Sequence, residues 1–297
     1  MDSSQQYILI SGCSSGFGKL LAETLLLRGH HVAAAMRDPA DSHAAAATDL
    51  NRVRTSGSLT LLDIDVASDA SVERAIAQLA TRFPRLDALV NNAGISAMGL
   101  NEGFTTEQVR GLFEVNTLGA QRMNRAALPL MKPHGRGLLV HVSTGLARMP
   151  MPCFGLYAAS KAALETIAES YRYELAPLGI DSVIVEPGPY PTQLGERALA
   201  PQDDARLAPY GFLRDLPAQM MKGLAAMFAG EHAPNPREVV DAIVQLIEAA
   251  PGTRPLRTVI GGGGGALEQL NALTDRLQAE LLGAQGLDVL LKVKTGL

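Results

Sequence analysis

The chain opens on a short apolar run, Tyr7-Ile-Leu-Ile-Ser11. A glycine-rich turn follows, Gly12-Cys-Ser-Ser-Gly16-Phe-Gly18, then a helical pattern from Lys19 to Arg28 that stops at Gly29. Few local patterns restrict a fold as strongly. A strand, a glycine turn and a helix in this order form half of a dinucleotide-binding unit. The glycines let the backbone approach a pyrophosphate, and the helix N-terminus offers free N–H groups at the positive end of its dipole. Gly12, Ser14, Ser15, Gly16, Phe17 and Gly18 are therefore candidate cofactor-binding residues. The spacing is Gly-x-x-x-Gly-x-Gly, not Gly-x-Gly-x-x-Gly.

Later elements continue the pattern. His31–Met36, Leu59–Ile64, Asp87–Asn91, Gly137–Ser143, Asp181–Glu186 and Thr258–Gly261 read as strands. Helices are expected at Asp69–Phe83, within Thr105–Met131, at Phe154–Pro177 and at Pro236–Ala249, with a surface helix and loop over Ala40–Ser58. Strands alternating with helices predict an α/β fold: a doubly wound parallel sheet of Rossmann type, with helices on both faces. A length of 297 residues, 47% of them hydrophobic, suits one large domain. We expect that domain over residues 1–265 and a C-terminal helical extension over 266–297.

Tyr157-Ala-Ala-Ser-Lys161 places a phenol and an ammonium one helical turn apart, on one face. A phenol titrates near ~10 and is a poor acid or base at neutral pH. A neighbouring ammonium favours the phenolate and brings the phenol toward working pH. Ser143 lies fourteen positions upstream of Tyr157, and its hydroxyl can bond the oxygen that the tyrosine protonates.

At this point the chain resembles the short-chain dehydrogenase/reductase family, in its single-domain branch, over about Tyr7 to Ile260. Gly12, Gly16 and Gly18 match the family's cofactor turn, and Asp65-Val66 its adenine contact. Asn91-Asn92-Ala93-Gly94 matches the signature after the fourth strand, which adds Asn92, Ala93 and Gly94 to the cofactor side. Asn116, Ser143, Tyr157 and Lys161 match the catalytic set. Pro187, Gly188 and Thr192 match the loop beside the nicotinamide, with Tyr190 and Pro191 departing from the usual pattern. The resemblance implies hydride transfer between an alcohol or ketone and a nicotinamide. Tyr157 is then the general acid/base, Lys161 its partner and ribose contact, and Asn116 part of a proton relay. The wording of the glycine turn and of Met36-Arg37-Asp38 is similar to the hydroxysteroid and retinol dehydrogenase side of the family.

The second strand ends on the neutral Met36, where an acidic residue would hold the ribose hydroxyls of NAD. Arg37 follows and can pair with a 2′-phosphate through its guanidinium fork. NADP(H) is therefore expected over NAD(H), with Arg37 in the cofactor site and Asp38 directed away.

A net charge of −4 gives no reason to expect nucleic acid or an anionic membrane as partner. Cys13 and Cys153, outside any CxxC pattern, argue against a disulfide framework or a metal site. No apolar stretch reaches the ~18 residues of a membrane span. The N-terminus enters a strand almost at once, without a signal peptide, and a cytoplasmic protein is expected. Family members are commonly dimers or tetramers, so a homo-oligomer is implied.

Pro189–Asn235 separates the sixth strand from the next helix by nearly fifty residues, and so long a connection reads as a lid. Met149, Pro150, Met151, Cys153, Phe154 and Tyr190 are candidate pocket residues, mostly apolar, which suits an apolar alcohol or ketone. Gly261–Gly265 reads as a linker or a crowded backbone. Leu267, Leu270, Leu273, Leu277 and Leu281 then recur at helical spacing and are expected to pack on the lid or on a second subunit. Two other classes remain open: a cofactor-sensing protein without catalysis, and an epimerase or dehydratase that shares Tyr-x-x-x-Lys.

Overall fold

A strand covered on both faces must be apolar along its length. β1 (Tyr7–Ser11) meets this condition, with Ile8, Leu9 and Ile10 entirely buried. A computed structural model describes residues 5–53, 56–261 and 264–295 of the chain. The other strands are β2 (His31–Met36), β3 (Ser58–Asp63), β4 (Ala88–Asn91), β5 (Gly137–Val142), β6 (Ile180–Pro187) and β7 (Arg257–Ile260). They form one parallel sheet in the order β3-β2-β1-β4-β5-β6-β7. The order reverses between β1 and β4, and ligands of open α/β sheets bind outside the carboxyl ends of the strands at such a point.

The helices are α1 (Gly16–Leu27), α2 (Ala44–Asn51), α3 (Asp69–Ala80), α4 (Thr106–Phe113), α5 (Gly119–Met131) and α6 (Gly155–Leu175). They continue with α7 (Gln193–Glu196), α8 (Asp204–Leu207), α9 (Leu216–Ala229), α10 (Arg237–Glu248) and α11 (Gly264–Ala284). Alternate strand residues face opposite sides. Ile8 and Ile10 join Leu21 and Leu25 of α1 and Ile243 and Ile247 of α10 in one core. Leu9 and Leu89 join Ile76 of α3 and Met123 of α5 in the other.

Two elements bear on what was expected from the sequence. The helix expected within Thr105–Met131 is in three parts. α4 starts on a reciprocal cap between Thr105 and Gln108, a π-turn spans Glu114–Leu118, and α5 follows. The π-turn carries Asn116, and such turns are frequent at functional sites. The leucine stripe does not pack as one face on this chain. Leu267 is buried, but Leu273, Leu277 and Leu281 are 45%, 52% and 54% exposed. α11 is instead fixed by Asn271, Thr274 and Asp275, which meet Glu186, Arg148 and Arg257. Of the glycine run, Gly262 and Gly263 lie outside the described residues, and α11 begins at Gly264. No described helix is long and apolar enough to cross a membrane.

Candidate active site

The glycine turn is shaped by its backbone. Gly12 and Gly16 have φ of +74° and +55°, a region that favours glycine. At Gly18 a Cβ would meet Gly12 O at 2.4 Å and Asn92 Nδ2 at 2.5 Å. Asn92 fixes the turn: its Nδ2 donates to Ser11 O (2.9 Å) and Gly12 O (3.1 Å). Ser11 Oγ in turn accepts from the N–H groups of Asn92 and Ala93. Asn92 is thus committed to the turn itself. Ser15 caps α1 with no side-chain hydrogen bond among the described residues, and the first turn of α1 has no acidic residue. An uncapped, positively polarised helix start beside open glycines fits a pyrophosphate.

The turns after β4 and β5 bring the next group together. Asn116 is buried on the π-turn, where its Oδ1 accepts from Ile95 N (2.9 Å). Its Nδ2 donates to Ile95 O (2.9 Å) and Ser160 Oγ (2.9 Å). Ser160 Oγ donates to Tyr157 O (2.7 Å), so Asn116 is tied to the first turn of α6. Lys161 Nζ donates to Val142 O (2.7 Å), one residue before Ser143. Gly94 lies between them: a Cβ there would be 3.2 Å from Asn116 Oδ1 and 3.4 Å from Lys161 Nζ. Tyr157 is buried in an apolar cluster with Ala97 and Leu112, flanked by Phe154 and Leu199.

Burial pushes the Tyr157 phenol above its ordinary value. A bare ammonium one helical turn away would lower it. In the structure the ammonium bonds Val142 O, and desolvation raises the phenol. Burial also lowers Lys161 to about 8, opposed by the nearby Glu165.

A buried carboxyl lies behind the serine, outside the set of residues expected from the sequence. Ser143 Oγ is 2.6 Å from Glu165 Oε1. Desolvation raises Glu165 to about 7, with Glu186 adding to the rise and Ser143, Arg257 and Arg148 opposing it. The signal was available: Tyr157, Lys161 and Glu165 recur every fourth residue, on one helical face.

The expected cofactor-selecting end of β2 is at the surface. Met36 is buried and Arg37 is exposed. Asp38 takes φ of +47°, and its carboxylate accepts from Ser42 N (3.2 Å), which commits it to the following turn. Asp65 accepts from Ala67 N (2.9 Å), and Val66 is buried beside it.

The loop after β6 returns to the glycine turn. Gly188 N donates to Ile260 O (2.8 Å), and the Thr192 side chain lies 3.6 Å from where a Cβ on Gly16 would sit. The Tyr190 side chain is not a pocket residue. It is buried in the sheet core, donates to Glu238 Oε2 (2.8 Å) and packs edge-on against Phe17. A cavity of about 340 Å³ opens instead between Leu100, Met151, Cys153, Gly155, Tyr210 and Leu213. Met151 and Cys153 therefore line a cavity as expected, whereas Met149 is 47% exposed and outside that lining. Arg148 anchors its loop to Asn271 and Thr274 of α11.

A glycine turn at the sheet's switch point, with Asn116, Tyr157 and Lys161 gathered at the neighbouring strand ends, defines a dinucleotide-dependent class of fold. The sequence family described as short chain dehydrogenase matches residues 6–203, and the chain belongs to that family. It is an oxidoreductase of alcohol and ketone groups. Human retinol dehydrogenase 8 is 34% identical over 268 residues, 86% of this chain and 81% of that protein. The oxidoreductase YusZ of Bacillus subtilis is 32% identical over 247 residues, 80% of this chain and 83% of that protein. A short-chain dehydrogenase structure from Streptomyces avermitilis superposes with a TM-score of 0.73 at 30% identity, covering 95% of this chain and 97% of that one.

Proposed function

We propose that the protein interconverts an apolar secondary alcohol and its ketone, or an aldehyde, with NADP(H) as the preferred nicotinamide. The observation that carries this reading is the seating of Lys161 Nζ on Val142 O, 2.7 Å away. It holds the ammonium between Ser143 and the Tyr157 turn of α6. The bound nicotinamide would supply or take up hydride. Gly12, Ser14, Ser15, Gly16, Phe17 and Gly18 would hold its pyrophosphate, and Asp65, Val66, Ala93 and Gly94 would line the adenosine side. Pro187, Gly188, Thr192 and the backbone of Tyr190 would frame the carboxamide. NAD(H) is the second choice.

Ser143 bonds the substrate oxygen. Tyr157 gives that oxygen a proton in reduction and removes one in oxidation. Lys161 balances the charge left on the phenol and holds the ribose. Asn116, fixed by three partner atoms, keeps the π-turn in place beside Lys161.

NADP preference is supported by the exposed Arg37, the neutral Met36 and the commitment of Asp38 to its own turn. An apolar substrate is supported by the cavity wall and by the similarity to retinol dehydrogenase 8. Residues 189–235 serve as its lid, since Leu199 packs in the cluster that holds Tyr157 and Leu213 reaches the cavity. The exposed Leu273, Leu277 and Leu281 favour a homodimer or homotetramer. The free, buried Cys13 and Cys153 suit the cytoplasm. A panel of ketones and alcohols with NADPH, NADP, NADH and NAD, read by absorbance of the reduced nicotinamide, tests the proposal. No turnover with any apolar ketone or alcohol overturns it.

A further inference from the structure

Glu165 is an unusual group to find behind a reactive serine. It is 2% exposed, and its Oε1 is 2.6 Å from Ser143 Oγ. Its second oxygen, Oε2, has no hydrogen-bond partner among the described residues, and neither has Glu186 Oε1 or Arg257 Nε. Arg257 Nε stands 3.6 Å from each of these two carboxylates, too far for a hydrogen bond. The rest of its guanidinium is taken by Asp275 of α11 and Glu169 of α6.

The charges do not balance. Four carboxyls, Glu165 and Glu169 of α6, Glu186 of β6 and Asp275 of α11, face Arg257 of β7. Arg148, in the loop after β5, is the other guanidinium acting on Glu165, and Lys161 is one turn away on α6. Asn271 Nδ2 satisfies the far oxygen of Glu186 at 2.6 Å. Two buried carboxyls that share one cation without a hydrogen bond favour one of them being protonated.

Building on the proposed function, we infer that Glu165 is a positioning residue that sets the direction of the Ser143 hydroxyl: protonated, it donates to Ser143, and ionised, it accepts from it. A serine hydroxyl has one hydrogen. If Glu165 is a carboxylate, that hydrogen is spent on it, and Ser143 offers a ketone oxygen only lone pairs. If Glu165 is protonated, its O–H serves Ser143 Oγ, and the serine hydrogen is free for the substrate oxygen. Reduction therefore selects the protonated acid. Oxidation passes through the same transition state in reverse, so the same requirement holds at the alkoxide oxygen. No proton leaves Glu165 in the net reaction, and Tyr157 supplies the one that is consumed.

The titration of Glu165 near pH 7 puts this choice within the working range. The test compares wild type, Glu165→Gln and Glu165→Ala in both directions across pH. Wild-type kcat for reduction should fall about tenfold per pH unit above the Glu165 midpoint, with KM little changed. Glu165→Gln, whose amide always donates, should lose that limb and keep only the one set by Lys161 near 8. Glu165→Ala removes the acceptor that takes the serine hydrogen, so it should lose that limb as well. A Glu165→Gln or Glu165→Ala profile that superposes on wild type overturns the inference.

Infrared titration of the carboxyl C=O band, in wild type and Ser143→Ala, supplies a readout that needs no turnover. The Ser143 hydroxyl holds the Glu165 value down, so its removal should move the band's midpoint to higher pH. An unmoved midpoint overturns the coupling even if wild type reduces no ketone, an outcome that would separately end the functional reading.

Discussion

Lys161 and Val142 are joined by a 2.7 Å hydrogen bond from the ammonium to the main-chain carbonyl. The ammonium is fully enclosed, and desolvation lowers it from 10.5 to about 8. The folded chain thus sheds this proton near pH 8, while the unfolded chain keeps it to about 10.5. Between those values the unfolded state binds more protons, so this group makes stability rise with pH. Lys161→Met should abolish that slope in thermal melts and lower kcat by about 10²–10⁴-fold. A variant that keeps the wild-type slope would show that another group causes it. Tyr157→Phe should be similarly inactive yet retain the cofactor, as read by fluorescence titration of NADPH.

Cofactor choice should reverse with two changes. Met36→Asp places a carboxylate where ribose hydroxyls are expected, and Arg37→Ala removes the exposed guanidinium. A charge-assisted phosphate contact contributes about 1.5–3 kcal/mol, or about one to two decades in affinity. Dissociation constants for NADPH and NADH in wild type and the double variant measure the swing. A wild type that prefers NADH removes Arg37 from the site.

Gly18→Ala tests the turn itself. The added methyl meets Gly12 O at 2.4 Å and Asn92 Nδ2 at 2.5 Å, so the Asn92 clamp has to yield. Overpacking of this kind costs about 1–3 kcal/mol. The expected result is a lower denaturant midpoint together with weaker cofactor binding. Unchanged values for both would mean that the turn relaxes freely.

The segment proposed as a lid is tied down by a contact that can be opened without touching the proposed chemistry. Tyr210 Oη donates to Glu102 Oε2 at 2.8 Å, and Arg206 lies 3.5 Å from the same carboxylate group. Both tie the 204–215 stretch to the turn at Asn101–Gly103. Tyr210→Phe should speed proteolytic nicking within 204–229 and raise KM for an apolar ketone more than it lowers kcat. Equal nicking rates with and without the hydroxyl would mark the segment as a fixed insertion.

Much of this arrangement was legible in the residue string. β1, the glycine turn and α1 are encoded locally, by an apolar run, positive-φ glycines and a leucine-rich helix. β2 falls on His31–Met36 as expected, and the other strand limits differ by a residue or so. Tyr157 and Lys161 are linked by helical periodicity alone. Contacts between distant segments left less trace. The break at Glu114–Leu118 depends on Asn116 reaching Ile95 and Ser160. Tyr190 was placed near the substrate by its neighbours in sequence, but the core offered it Phe17 and Glu238. α11 carried a leucine pattern that suggested an apolar seat, yet its grip comes from Asn271, Thr274 and Asp275. Polar anchors of that kind have no period to read.

The anchoring of α11 also fixes an order of events during synthesis. A nascent chain that has passed Lys161 already carries Asn116, Ser143 and Tyr157. Glu186, Arg257, Asn271 and Asp275 are still ahead of it, and these enclose the carboxyl on which Ser143 rests. Until they are in place, Arg257 lacks its Asp275 partner and Glu186 its Asn271 partner, so the charge setting of Glu165 is unfinished. The serine thus acquires its final surroundings only after Asp275 has been made, more than a hundred residues after its own position.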